Sequence, residues 1–527
     1  MTLASLGAVF LLQMPPGAQS AGAAEPDART NLQIQACRRE IKTAVETHIH
    51  QPQMRRTRWG ISVKLGQAWS GQSLYQHQAD QLFLPASTAK LLTTAATLQA
   101  VAPNTRIETP VWGSGSVPAL KHLRIVGQGD PSITATELTQ LARHLQRLGV
   151  RSIGTLIADD RQFTGSPLVP SWAWEDLQTS DGVPVNSLSF YQNSLPLDLK
   201  PQSRGQALLI TWPEGTPLNP PILVNQTRTV SRSEPEFIEV QRNLGGTTMV
   251  IQGQLREGSA AERLWYAIAD PAQLFLHRLQ TLLREHKIQV DRSIVWDDRT
   301  PPPEGELDLK AEQPLGQLSS PPLTALLTEI NRNSNNFYAE SLLRRLSLVN
   351  GSAIHKAPVN GFDLGPSSLD QGLATLEMVL TKAGIDPSGY RLADGSGLSR
   401  QNLVSPNTLT DTLLAMERSP HFEPFRNSLA IAGEQGTLRQ RFQGTPLVGH
   451  LWAKTGTLKG TVTLAGYLQK PTGPRLIVSI MANASDLPGL TLRQTLDQIL
   501  VKIAQFPACQ SIAPSSSGVG LKPLYNR

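Results

Sequence analysis

The stretch Phe83-Leu84-Pro85-Ala86-Ser87-Thr88-Ala89-Lys90-Leu91-Leu92 reads as the opening of a buried helix whose first turn carries chemistry. Ser87 and Lys90 lie three residues apart, so on a helix they share a face and the ammonium comes within reach of the hydroxyl. A free serine is a poor nucleophile, and a neighbouring amine can take its proton only where burial or another cation makes that amine less basic. Pro85 suits a helix start, and the N–H groups of a first turn offer positive potential to a developing oxyanion. Leu91, Leu92, Ala95 and Ala96 then recur at helical spacing, which predicts a buried, rigid helix. Ser-x-x-Lys alone is a weak signal, since two fixed residues arise by chance in a long chain, yet Ser87 is the only serine here followed by lysine at that spacing.

Two further stretches add to it. Ser334-Asn335-Asn336 is a Ser-x-Asn pattern offering a hydroxyl that can relay a proton and an amide that can both donate to and accept from a peptide backbone. Ser405-Pro406-Asn407 has the same pattern, and a helix-capping serine is the ordinary alternative for Ser334. Lys454-Thr455-Gly456-Thr457 occurs once. On a strand edge, Lys454 would place a positive charge in a cleft, Thr455 or Thr457 could bind a carboxylate, and Gly456 would let a substrate backbone approach. A solvated surface lysine is the ordinary alternative.

The chain has 527 residues, 39% of them hydrophobic and 17% charged, which describes a soluble globular protein of two or three domains. Its 48 basic against 42 acidic residues give a net charge of +6 without any basic block, which disfavours a nucleic-acid partner. Residues 3–12 are apolar apart from Ser5, and Ala21-Gly22-Ala23 precedes Glu25-Pro26, so residues 1–24 resemble a secretory signal peptide, although its n-region has no Lys or Arg. Cys37 and Cys509 lie near the two ends; a disulfide joining the ends and two unpaired thiols both fit the sequence, and geometry decides. No metal is expected, because neither the cysteines nor the scattered histidines show a ligand spacing, and His48-x-His50 reads as solvated surface. No Gly-x-Ser-x-Gly element exists, which excludes a lipase-type hydrolase.

In order, residues 31–50 read as a helix, residues 59–65 as a strand with residues 73–77 as its hairpin partner, and the Ser87 helix ends near Ala102-Pro103-Asn104. Residues 108–299 change to short strands and turns with one amphipathic helix at 271–286, and are read as a β-rich insertion closed by Thr300-Pro301-Pro302-Pro303. The rest of an α/β (α+β) catalytic domain then follows over 300–508, ending in two strands, 461–468 and 475–481, and a helix striped by Leu492, Leu496, Ile499 and Ile503. Residues 510–527 read as a disordered tail.

Ser-x-x-Lys, Ser-x-Asn and Lys-Thr-Gly in this order are the signature of penicillin-binding proteins and serine β-lactamases. Ser334 follows Ser87 by about 250 residues, and with that gap the chain resembles the low-molecular-mass class C penicillin-binding proteins, the D-alanyl-D-alanine carboxypeptidase/endopeptidase family, which carry a large insertion there. Gly127-Gln128-Gly129-Asp130-Pro131, Pro184-Val185-Asn186-Ser187-Leu188-Ser189, Asp394-Gly395-Ser396-Gly397-Leu398-Ser399 and Gly436-Thr437-Leu438 extend the resemblance over about residues 35–508. Gln128 and Asn335 depart from the commoner family residues; the first lies outside the three motifs, and the second is the variable middle position of Ser-x-Asn, so the Ser334 and Asn336 roles stand.

The resemblance implies a β-lactamase/transpeptidase-like domain built from residues 30–107 and 300–508, with a five-stranded antiparallel sheet flanked by helices and an insert of two nested domains. It implies a serine-type carboxypeptidase or endopeptidase acting on peptidoglycan stem peptides that end in D-Ala-D-Ala, exported to the periplasm or cell envelope, inhibited by β-lactams and needing no cofactor. Ser87 would be the nucleophile, Lys90 the base, Ser334 and Lys454 the proton relay, Asn336, Thr455, Gly456 and Thr457 the substrate contacts, and the Ser87 and Thr457 N–H groups the oxyanion hole. The segment Asp394 to Ser399 is expected to be structural. A β-lactamase and a penicillin-sensing scaffold with little turnover are the competing readings, distinguished by how long a penicillin label persists and whether any peptide product forms.

Overall fold

The computed structural model describes residues 28–69, 71–213, 220–242, 248–297, 308–349, 366–469, 471, 473–510 and 512. The expected leader and the Pro-rich linker lie outside the described residues, as does the tail expected over 510–527 except for two residues that correct it: Gln510 ends the short helix Pro507–Gln510, and Ile512 is buried in the core.

The central sheet has six antiparallel strands in the order Ala430–Ile431, Leu451–Leu458, Thr461–Leu468, Leu476–Asn483, Arg58–Leu65, Ser73–His77. Four are strands read directly from the sequence, Leu451–Leu458 carries the Lys-Thr-Gly stretch, and the sixth, one more than the five the resemblance implies, is a two-residue edge strand too short to show a period. The two ends of the chain meet at its middle, where Arg58–Leu65 pairs with Leu476–Asn483 from Arg58 opposite Asn483 to Leu65 opposite Leu476. Thr461–Leu468 and Leu476–Asn483 are buried along their whole length, which is why 476–483 reads as a continuous apolar run rather than an alternation.

Each sheet face packs a separate core. On one face the terminal helices Ala28–Ile49 and Gly489–Gln505 bury Ile34, Cys37, Ile41 and Val45 with Leu492, Leu496, Ile499 and Ile503. A disulfide joins Cys37 in the first helix to Cys509. On the other face, the Lys90–Ala100 helix is the centre of a helical layer with Leu323–Asn331, Asn336–Leu346, Ser368–Lys382 and Pro406–Arg418. That layer and the sheet enclose the candidate site.

The insert contains a five-stranded mixed sheet, Gln289–Trp296, Ser152–Asp159, Ala119–Val126, Glu108–Ser116, Gln313–Ser319, and two three-stranded sheets drawn from residues 194–267. Two expectations need correcting. Gln313–Ser319 pairs antiparallel with Glu108–Ser116, so the insert's sheet runs past residue 300, to Ser319. The insert also holds a second helix besides Pro271–Glu285, namely Ala135–Arg147, which is closed by a capping box in which the Thr134 N–H donates to Glu137 Oε2 at 2.8 Å. Leu138, Leu141, Ala142 and Leu145 bury its inner face.

Candidate active site

Ser87 sits on a tight 3₁₀ turn, Ala86–Ala89, that runs directly into the Lys90–Ala100 helix. The turn is forced rather than relaxed: Ala86 has φ 47°, a left-handed conformation that costs a residue with a Cβ roughly 1–2 kcal/mol. Its neighbours hold it there. Thr88 Oγ1 and Thr463 Oγ1 both donate to the Pro85 carbonyl, at 2.6 and 2.7 Å. Two glycines let other segments close on it. A Cβ on Gly397, itself at φ 83°, would stand 1.9 Å from the Ala86 carbonyl oxygen, and one on Gly456 would stand 2.9 Å from the Pro85 carbonyl oxygen. The missing side chain at Gly456 therefore lets its strand pack against the Ser87 turn.

Lys90 is fully buried. Its Nζ donates to Ser87 Oγ at 3.0 Å, to Asn336 Oδ1 at 2.6 Å and to the Ser396 carbonyl at 2.7 Å, which satisfies all three ammonium hydrogens. Among the described residues no carboxylate touches it. Burial therefore dominates and pushes its pKa down to about 8, with the charges of Asp394, Glu340 and Asp181 opposing. An amine so placed can lose its proton near neutral pH and then accept one from the serine hydroxyl.

The second serine–lysine pair closes the other side. Lys454, on the strand Leu451–Leu458, is also fully buried and donates to Ser334 Oγ at 2.8 Å and to the Thr455 carbonyl at 2.9 Å. Burial, reinforced by the charge of Lys90, holds it well below the ordinary lysine value. Ser334 lies between two helices with φ 64°, and Asn335 caps the second of them by accepting from the Tyr338 N–H at 3.1 Å. Thr455 Oγ1 shares a hydrogen bond of 2.8 Å with Thr437 Oγ1, and Thr457 is exposed at the strand's cleft end.

The fold thus brings all eight candidate residues, Ser87, Lys90, Ser334, Asn336, Lys454, Thr455, Gly456 and Thr457, onto the nucleophile turn, the Ser334 loop and one strand. Other participants escaped sequence reasoning. The Asp394 segment does hold itself together, with Asp394 accepting from the Gly397 and Ser399 N–H groups at 2.7 and 2.6 Å, but its Ser396 carbonyl is a direct partner of Lys90. The insert also reaches the site: Asn336 Nδ2 donates to the Asp181 carbonyl at 3.1 Å, and Asn335 Nδ2 to Gln192 Oε1 at 2.6 Å. Asn336 is therefore strung between Lys90 and the insert, with one amide hydrogen left for a ligand. Backbone carbonyls and contacts spanning more than a hundred residues leave no mark on a local motif.

A serine and a buried lysine on one turn, faced by a second serine–lysine pair across a strand edge, define a serine acyl-transfer enzyme of the penicillin-binding type. The sequence profile of the D-Ala-D-Ala carboxypeptidase 3 (S13) family matches residues 41–503, and the chain belongs to that family. It is a serine-type D-Ala-D-Ala carboxypeptidase. Among its relatives, a D-alanyl-D-alanine carboxypeptidase from Actinomadura sp. (strain R39) is 29% identical over 458 residues, spanning 84% of this chain and 80% of that one. The D-alanyl-D-alanine carboxypeptidase DacB of Haemophilus influenzae is 25% identical over 438 residues, spanning 81% and 86%. The crystal structure of penicillin binding protein 4 (dacB) from Haemophilus influenzae superposes with a TM-score of 0.71 at 24% identity, over 88% of this chain and 97% of that one, which establishes the shared fold.

Proposed function

We propose that the enzyme cleaves the terminal D-Ala-D-Ala bond of peptidoglycan stem peptides, and cross-links of the same stereochemistry, through an acyl-enzyme on Ser87. Neutral Lys90 takes the Ser87 proton as Oγ attacks the carbonyl carbon; the contact seen at 3.0 Å then runs in reverse, hydroxyl to amine. The backbone N–H groups of Ser87 and Thr457 receive the oxyanion, each worth about 3 kcal/mol. As the C–N bond breaks, the leaving D-alanine amine takes its proton by way of Ser334, which Lys454 holds. Water then attacks the ester carbonyl and gives its proton back to the Ser334–Lys454 relay; as the acyl–Oγ bond breaks, Ser87 Oγ takes back the proton that Lys90 received, which leaves Lys90 neutral again. Lys454, Thr455 and Thr457 bind the substrate's terminal carboxylate, and the free hydrogen of Asn336 Nδ2 binds its backbone. The site works outside the cytoplasm, in the cell envelope where such peptides occur.

The observation that carries this reading is the pair of fully buried lysines, each on a serine hydroxyl and neither on a carboxylate. The reading is tested by D-alanine release from a peptide ending in D-Ala-D-Ala. Wild type should release it, while Ser87→Ala and Lys90→Ala should each lose roughly a thousandfold or more. Release that survives in Ser87→Ala would overturn the assignment.

A further inference from the structure

Glu340 stands on the Asn336–Leu346 helix one turn beyond Asn336, fully buried, and the mechanism above gives it no part. Its Oε1 accepts from the Gly395 N–H at 3.0 Å and the Ser396 N–H at 2.8 Å, while its Oε2 has no hydrogen-bond partner among the described residues. The segment it grips lies flat on the helix: a Cβ on Gly395 would meet Leu343 Cβ at 2.9 Å and the Ala339 carbonyl oxygen at 3.0 Å. From the opposite side, Thr93 Oγ1 of the nucleophile helix donates to the Gly395 carbonyl at 2.7 Å. The next carbonyl, that of Ser396, receives Lys90 Nζ.

Three charged groups face this carboxylate: Asp394 from the gripped segment, Arg344 one turn along the helix, and Lys90 across the clamp. Arg344 is directed elsewhere, donating to the Ser166 carbonyl at 3.0 Å. We propose that Glu340 is a positioning residue for acyl transfer: its carboxylate clamps Gly395 and Ser396 so that the Ser396 carbonyl holds Lys90 against Ser87, and its charge favours the ammonium form of Lys90. Burial and the neighbouring Asp394 push the Glu340 carboxyl up to about 7, so the clamp changes charge close to the pH at which Lys90 does.

The proposal rests on Lys90 being the base, and the test separates the two. Penicillin acylation of the full chain is followed by stopped flow across pH in wild type, Glu340→Gln, Glu340→Ala and Thr93→Val. In Glu340→Gln the amide oxygen still accepts both N–H groups but the charge is gone. Its plateau rate should stay within about threefold of wild type while the rising limb moves to lower pH by about half a unit or more. In Glu340→Ala the clamp is lost and the plateau should fall about tenfold or more, since small displacements at a reacting centre are costly. Thr93→Val, nearly the same shape, loosens the clamp without touching charge; its plateau should fall severalfold with the limb in place. A limb present in wild type and unmoved in Glu340→Gln, or a wild-type plateau in both Glu340→Ala and Thr93→Val, overturns the proposal alone. A wild-type profile with no such limb overturns the Lys90 reading and this one with it.

Discussion

Gly397→Ala tests whether the nucleophile turn is held in place from a segment some 300 residues away. The glycine has φ 83°, so any side chain there costs about 1–2 kcal/mol in backbone strain. Its new Cβ would stand 1.9 Å from the Ala86 carbonyl oxygen, 2.5 Å from the Ala86 carbonyl carbon and 3.1 Å from Ala89 Cβ, and the first two atoms are backbone. No rotamer change relieves that contact, and forced repacking of this kind costs a further ~1–3 kcal/mol. The sum is a loss of roughly 2–5 kcal/mol unless the turn itself yields. Ala86 is already strained at φ 47° and its carbonyl carbon is bonded to Ser87 N, so a turn that yields there carries the serine with it. A displacement near 1 Å lowers the acylation rate about a hundredfold. Chemical denaturation and the rate of penicillin acylation together read both outcomes. A Gly397→Ala protein with wild-type stability and wild-type acylation would refute the account of how the turn is held.

Other expectations follow from the same geometry. Because the base must be neutral, acylation should rise with pH through about 8, the value burial gives Lys90, and fall away below it, as stopped-flow acylation will show. The folded state also binds fewer protons than the unfolded chain between about 8 and the ordinary lysine value of 10.5, so Lys90 makes denaturant stability rise with pH across that window. Lys454→Met removes a buried amine but keeps the volume; stability should hold or rise by about 1–3 kcal/mol while D-alanine release drops at least a hundredfold. Replacing Cys37 and Cys509 by serine removes a link between residues 472 positions apart and should lower stability by about 2–5 kcal/mol in a denaturant titration, with the acylation rate unchanged because the disulfide lies on the far face of the sheet.

The parts of this enzyme that were legible are those whose chemistry fixes a short spacing. Ser87 and Lys90 share a helical face, Lys454 to Thr457 share a strand, and the hairpin 59–65 with 73–77 announces itself by alternation, so all can be read locally. Gln313–Ser319 hid itself because Pro314 and Gly316 interrupt the strand pattern; it is tolerated only as an edge strand, with a register shift at those residues. Ala135–Arg147 did carry a signal, the Thr134 to Glu137 capping box ahead of apolar residues at helical spacing, but strands on either side drowned it. The left-handed backbones of Ala86 and Ser334 belong to residues that rarely adopt them, and composition gives no hint of such strain. Glu340, the Ser396 carbonyl and the Asp181 carbonyl reach the site through tertiary contacts alone, which no local sequence pattern encodes.

The central claim, that Ser87 forms the acyl-enzyme, is tested most directly by treating the protein with penicillin, digesting it and locating the adduct by peptide mass spectrometry. The account predicts a single penicilloyl ester on Ser87, absent from Ser87→Ala under the same conditions. An adduct on any other residue, or none on well-folded wild type, would contradict it.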